Sequence, residues 1–355
     1  MKKNIILLVA AMLMVSLLSA CNSAQASGNK DEKLQIVTTI FPEYDWVVNV
    51  LGENYPNADI TLLLDNGVDL HSFQPTAADI LKISNCDLFI YVGGESDEWV
   101  DDVLRDAMNK DMVVINLLDV LGDNVKEEEI VEGMQAEDEH DHDHAHEDGD
   151  DHEHEEGEGH DADHDHEDGE GHDEEEVEYD EHVWLSLRNS AILVGEIANA
   201  LGKVDPSHAK DYQDNAKAYQ EKLNALDAKY QEVVADAKTK TLLFGDRFPF
   251  RYLVDDYGLS YYAAFVGCSA ETEASFETIL FLANKTDELG LSAIMTIEGK
   301  DHRIAETIRD NTKAKDQTIL TMDSLQATTL RDYANGVTYL RVMEMNLDAL
   351  KQALN

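Results

Sequence analysis

Ten of the fourteen histidines lie between His140 and His172, in a run of aspartate, glutamate and glycine that has no lysine or arginine from Glu127 to Asp180. Imidazoles and carboxylates at this density are ligands for divalent cations, so the chemistry suggested first is metal capture. The run cannot bury a core, and disorder is the expectation for it. A selective site needs fixed ligands, which must come from elsewhere in the chain.

Four histidines lie outside the run: His71, His182, His208 and His302. His71 sits in Asn66-Gly67-Val68-Asp69-Leu70-His71-Ser72-Phe73-Gln74-Pro75, a loop after a β-rich stretch. His182 precedes the apolar Val183-Trp184-Leu185, whose burial would hold the imidazole in one orientation. His208 and His302 stand near helix starts and read as surface residues. Three carboxylates also end apolar runs: Asp246 after Leu242-Leu243-Phe244-Gly245, Glu298 after Ile294-Met295-Thr296-Ile297, and Asp323 after Ile319-Leu320-Thr321-Met322. Two imidazoles with one or two carboxylates form a mixed N/O shell suited to zinc, with manganese and iron as alternatives.

The elements that must position these groups alternate in type. Short β-rich runs fall at 34–40, 58–64, 87–92 and 111–117, with helical spacing at 42–52, 76–85 and 97–109. Thr76 to Asp79 is the signature of a capping box. Two longer helices follow at about 188–201 and 207–237, parted by Val204-Asp205-Pro206. Strands at 240–245, 259–266, 291–297 and 317–322 then alternate with helices near 248–256, 275–289 and 301–313, and a helix from about 336 to 354 closes the chain. The expected fold is α/β: two four-stranded parallel-sheet lobes joined by a long helix. Ligands of such sheets bind beyond the carboxyl ends of the strands, which places the site in the cleft between the lobes.

The expected organisation is a signal peptide at 1–20, a tether at 21–33, and a first lobe at 34–126 with 179–187. A disordered insertion covers 127–178, the connecting and long helices 188–237, and the second lobe 238–355. Lys2 and Lys3 precede an apolar stretch from Ile5 to Leu18, and Leu18-Ser19-Ala20-Cys21 resembles a bacterial lipobox. Cys21 is therefore the expected lipidation site, anchoring the protein extracytoplasmically to the cell membrane. Cys86 and Cys268 are expected as unpaired, partly buried thiols. The formal charge of −47 includes 29 acids from the run at 127–180; without them it is −18. That balance disfavours nucleic acid and anionic surfaces as partners and suits cations.

Collinear motifs give the sequence a family resemblance. Val37-Thr38-Thr39-Ile40-Phe41-Pro42, Gly67 to Pro75, Tyr91-Val92-Gly93-Gly94 leading to Glu98-Trp99, Asp180 to Ser186, Glu271 to Ser275, and Thr321 to Leu325 occur in order before the closing Tyr339-Leu340 to Asn346-Leu347 helix. The chain resembles the metal-binding lipoproteins of bacterial ABC importers for zinc and manganese. The resemblance implies a monomer that carries Zn²⁺, or alternatively Mn²⁺ or iron, to an ABC permease and catalyses no reaction. It also implies metal ligands at His71, His182 and Asp323. The family's third ligand position falls without gaps on Arg247, a donor-only side chain that cannot bind a metal. Two arrangements are open: Asp246 serves through a one-residue shift, or Arg247 points away and water or the insertion completes the shell.

Related zinc binders often carry a His-rich loop at this place, so the insertion is expected to collect zinc beside the cleft. From other classes, a surface adhesin or metal buffer and a secreted zinc hydrolase are the rivals. The hydrolase lacks a His-Glu-x-x-His helix or comparable signature.

Overall fold

The computed structural model describes residues 33–135, 178–269 and 273–355. The expected signal peptide, the tether up to residue 32 with Cys21, and the histidine-rich run at 136–177 lie outside the described residues.

The first lobe runs β1 (Leu34–Thr38), α1 (Phe41–Leu51), β2 (Ala58–Leu62), α2 (Ala77–Asn85), β3 (Leu88–Tyr91), α3 (Trp99–Arg105), β4 (Val113–Asn116) and α4 (Leu117–Leu121). Then come α5 (Leu187–Val204) and α6 (Ala209–Ala235). The second lobe runs β5 (Thr241–Phe248), α7 (Arg251–Tyr257), β6 (Ser260–Val266), α8 (Phe276–Leu289), β7 (Ala293–Thr296), α9 (Arg303–Asn311), β8 (Thr318–Thr321), α10 (Leu330–Ala334) and α11 (Tyr339–Ala353). Each lobe holds one four-stranded sheet, ordered β2-β1-β3-β4 and β6-β5-β7-β8. The two lobes thus repeat one topology, with the order reversing beside β1 and β5. Such reversals open the crevice in which doubly wound sheets hold ligands.

The inner strands read as unbroken apolar runs because helices cover both faces. All four residues of β3, and all four of β7, are buried. The expected capping box at α2 forms: Thr76 Oγ1 accepts from Asp79 N, and Asp79 Oδ2 accepts from Thr76 N. β5 runs longer than the expected 240–245, because Pro249 holds the preceding Phe248 extended and delays α7 to Arg251. The extension has a register irregularity between Phe244 and Arg247. It carries Asp246 and Arg247 on a strand rather than on a turn.

At 27 residues, α6 is about 40 Å long and touches both lobes. Its Tyr219 hydroxyl donates to Asp45 on α1 at 3.0 Å, and its Tyr230 hydroxyl donates to the Met343 carbonyl of α11 at 2.6 Å. α11 in turn crosses back to the first lobe, where Tyr339 meets Trp46 edge-on with ring centroids 5.3 Å apart. Large aromatic contacts at both ends make this helical layer a stiff connection between the sheets.

Asp45 is a weak point of that layer. Burial raises its carboxyl to about 6, against the pull of the Tyr219 hydrogen bond and the Lys222 charge, and Oδ1 has no hydrogen-bond partner. A raised carboxyl contributes stability below its unfolded value, near 4, and loses it as pH rises through about 6. Asp45→Asn is therefore expected to stabilise the protein by about 2 kcal/mol at pH 7.5 and by little at pH 4. Urea unfolding at the two pH values checks this; an equal gain at both would count against it.

The insertion was expected from residue 127, yet 127–135 run along the second lobe. Glu127 forms an antiparallel bridge with Tyr179, and Gln135 N donates to the Ala264 carbonyl at 3.0 Å. Cys268 N donates to Glu128 Oε1 at 3.2 Å, and Ser275 N donates to Gln135 Oε1 at 2.7 Å. The 127–135 stretch is thus tied to the second lobe through Glu128 and Gln135 and does not belong to a free polar loop.

Candidate metal centre

His71 lies on a one-turn 3-10 helix, Leu70–Ser72, after β2. Asp69 caps that turn by accepting from His71 N at 3.1 Å, and so fixes where the imidazole emerges. His182 is held from below by Asp180, whose Oδ1 accepts from its backbone N at 2.8 Å and meets its Nδ1 at 3.0 Å. The following Val183, Trp184 and Leu185 are buried, and Trp184 Nε1 donates to the Ser324 carbonyl at 2.8 Å. The 179–187 stretch therefore binds both lobes, since Glu181 Oε1 also accepts from Ser96 N of the first lobe at 2.9 Å.

The two imidazoles meet with their Nε2 atoms 3.3 Å apart. Two nitrogens at ordinary zinc distances from one tetrahedral ion stand about 3.3–3.4 Å apart. The outward nitrogens are occupied: His71 Nδ1 by Ser96 Oγ at 2.8 Å and His182 Nδ1 by Asp180. That is the outer-shell pattern that aims imidazole lone pairs at a metal.

Charges around the pair are uneven. Burial, the neighbouring His182 and Arg247 push His71 down to about 3, so it is neutral at physiological pH. Burial pulls His182 down too, but Asp180, Glu181 and Asp69 outweigh it and hold this histidine above its ordinary value. Both imidazoles must be neutral to coordinate, so a cation between them competes with protons for the Nε2 lone pairs. Burial raises the Glu181 carboxyl, and its Oε2 accepts no hydrogen bond while lying 3.4 Å from His71 Nδ1. A cavity of ≈ 280 Å³ opens on His71, lined also by Glu95, Ser96, Glu128, Glu178, Tyr179, Glu181 and Cys268, with His182 buried behind it. Carboxylates dominate this mouth, which draws in cations.

Among the described residues, one group of metal-competent side chains converges: His71, His182 and Cys268, whose ligand atoms lie within 4.8 Å of one another. Asp323 is outside that group. It ends β8, where Oδ1 accepts from Leu325 N at 2.8 Å, and burial together with Glu298 raises its carboxyl to about 7. Asp246 is outside it too, because its oxygens accept from the backbone of Arg247 at 3.0 Å and of Ile297 at 3.2 Å. Arg247 reaches across the cleft to form an ion pair with Asp69 and donates to the Ser269 carbonyl at 3.3 Å. It thus ties β5 to the loop that carries His71. Gln326, with its amide nitrogen toward Asp69, donates to both carboxylate oxygens at 2.7 and 2.9 Å and sets its oxygen 2.9 Å from His182 Nε2. His208 pairs instead with Asp205, and His302 begins α9.

The chain matches the family described as zinc-uptake complex component A, periplasmic, over residues 36–353. It belongs to that family. The zinc-binding lipoprotein AdcA of Streptococcus pneumoniae serotype 4 is 32% identical over 350 residues, covering 99% of this chain and 61% of that protein. This chain therefore spans about three fifths of the AdcA relatives it matches. The high-affinity zinc uptake system protein ZnuA of Bacillus subtilis is 28% identical over 341 residues, covering 95% of this chain and 94% of that one. The Zn(II)-bound ZnuA-like domain of Streptococcus pneumoniae AdcA superposes with a TM-score of 0.64 at 28% identity, covering 91% of this chain and 99% of that one. The two parallel four-stranded sheets are those of this zinc-uptake family.

Cys268, Asp180 and Glu181 were not singled out by sequence reading as parts of the site. The acids stand directly before His182, where a buried imidazole's hydrogen-bond partner is most cheaply supplied. The signal for Cys268 was its place in a Gly-Cys-Ser turn at the carboxyl end of a strand, the same edge as His71.

Proposed function

We propose that this protein is the extracytoplasmic zinc-binding component of an ABC importer, capturing Zn²⁺ in its cleft and handing it to a permease. The observation that carries the reading is the pair of imidazole Nε2 atoms 3.3 Å apart, His71 lining an acidic pocket, in a zinc-uptake family fold. His71 and His182 are the core ligands. Asp323 approaches from the end of β8 as the second lobe closes, the raised carboxyl favouring a cation beside it. Cys21 carries the lipid anchor, and the acylated chain stays on the membrane next to the permease. The protein's work is selective binding and release, with no bond made or broken in a substrate.

The histidine-rich run acts as a collector. Its near ends, up to Gln135 and from Glu178, stand at the cleft: Glu128, Glu178 and Tyr179 line the mouth. Weak capture on many imidazoles there raises the local concentration of zinc that the cleft sees.

Competition binding tests the ion. The purified full chain is expected to hold zinc through a tight cleft site that a large excess of manganese does not displace. Stoichiometric manganese preferred over zinc would sink the choice of ion. Failure of added zinc to rescue growth of a strain lacking the gene would sink the transport reading.

A further inference from the structure

From the packing around His182 we infer that Cys268 is a metal ligand in this chain, giving a His71–His182–Cys268 core in place of an imidazole or carboxylate third ligand. The inference rests on reading the cleft as the cargo site. Three observations carry it.

The first is position. Cys268 Sγ lies within 4.8 Å of the ligand nitrogens of both histidines, and Cys268 and His71 line one small cavity. Among the described residues Cys268 pairs with no other cysteine. Its backbone is pinned, since Cys268 N donates to Glu128 Oε1 at 3.2 Å.

The second is how the thiol is delivered. A Cβ on Gly267 would stand 3.0 and 3.1 Å from His182 Cε1 and Nδ1, and 2.9 Å from the Phe248 carbonyl. Only glycine lets the backbone after β6 lie flat against that ring, and the next residue is then presented at the metal-facing side. The turn that sets Cys268 in place is built around the metal-binding histidine itself.

The third is the state of the rivals. Arg247 is engaged with Asp69 and the Ser269 carbonyl, and Asp246 with two backbone N–H groups. Neither offers a lone pair at the imidazoles. Glu181 Oε2, buried and accepting no hydrogen bond, lies 3.4 Å from His71 Nδ1, beside the same imidazole.

On binding, the S–H bond of Cys268 breaks, a Zn–S bond forms, and the proton passes to solvent, with no change of oxidation state. A thiolate favours Zn²⁺ over Mn²⁺, so this ligand would add selectivity in the first shell. A tetrahedral shell is then completed by Asp323 or by water.

Cobalt substitution tests the assignment, because only a thiolate ligand produces a sulfur-to-Co²⁺ charge-transfer band in the near-ultraviolet. The histidine-rich run contains no cysteine and cannot contribute to it. The full chain with Cys21→Ser is titrated with Co²⁺, alongside the same chain carrying Cys268→Ser, Cys86→Ser or His182→Ala. The expected result is a band that saturates at one equivalent of thiolate-bound cobalt and is removed by Zn²⁺. It should persist in Cys86→Ser and vanish in Cys268→Ser, whose zinc affinity falls by about 10²-fold. Cobalt taken up in a His182-dependent site with no such band, together with unchanged zinc affinity of Cys268→Ser, would overturn the inference and leave the cleft site standing. Metal binding indifferent to His182→Ala would overturn both.

Discussion

His182→Ala is expected to weaken zinc binding in the cleft by about 10²–10³-fold and to remove the one tight site per chain. The magnitude follows from dividing the roughly 10–16 kcal/mol of a protein zinc site among about four ligands, or about 2.5–4 kcal/mol each. The same change removes the imidazole contact of Asp180 in a buried position, since Asp180 is 2% exposed and meets His182 Nδ1 at 3.0 Å, leaving it, among the described residues, only the backbone N–H of residue 182. A buried carboxylate left short of partners costs about 1–3 kcal/mol, so the variant should also melt earlier without zinc. Titration against a competing chromophoric chelator at pH 7 measures the first effect, and calorimetric melting the second. Affinity within threefold of the parent chain would show that the metal sits elsewhere. The loss should resemble what acid does to the parent protein, because imidazole must be neutral to coordinate and, despite burial, the Asp180 carboxylate holds His182 above its ordinary value.

Removal of residues 136–177, with a short glycine-serine link between Gln135 and Glu178, is expected to abolish most weak zinc binding. Total stoichiometry should fall by several ions while the tight cleft site keeps its affinity. Uptake should drop severalfold at limiting zinc and be unchanged in excess. The cut points follow from the contacts made by 127–135: Glu128 holds the backbone of Cys268, and Gln135 holds those of Ala264 and Ser275. A deletion beginning at 127 would disturb the cleft wall and confuse the two functions. Unchanged stoichiometry together with unchanged uptake at limiting zinc would end the collector reading.

Much of the architecture was legible because parallel β/α units write themselves locally. Buried strands such as β3 and β7 are short apolar runs, and their helices carry apolar residues at helical spacing with caps such as Thr76 and Asp79. Where a boundary was misjudged, the cause was also local: Pro249 holds Phe248 extended and carries β5 past Asp246 and Arg247. The beginning of the insertion was misjudged for another reason. Composition makes Glu127 to Gln135 look like the acidic run beyond it, whereas their partners are backbone N–H and carbonyl groups on a lobe more than a hundred residues away.

By itself, the sequence determined the kind of chemistry and the two α/β lobes, since residue type and periodicity are local properties; among the four histidines outside the rich run, it was the family resemblance that singled out His71 and His182. Tertiary structure alone decided which side chains meet. His71 and His182 are 111 residues apart, yet the fold brings their Nε2 atoms within 3.3 Å, with Ser96 and Asp180 holding the outward nitrogens. The same geometry turned Arg247 from a failed ligand into a bridge to Asp69, used Asp246 for backbone hydrogen bonds, and brought Cys268 to the imidazoles through a glycine packed on His182. Convergence of this kind depends on long-range register, which no short stretch of chain encodes.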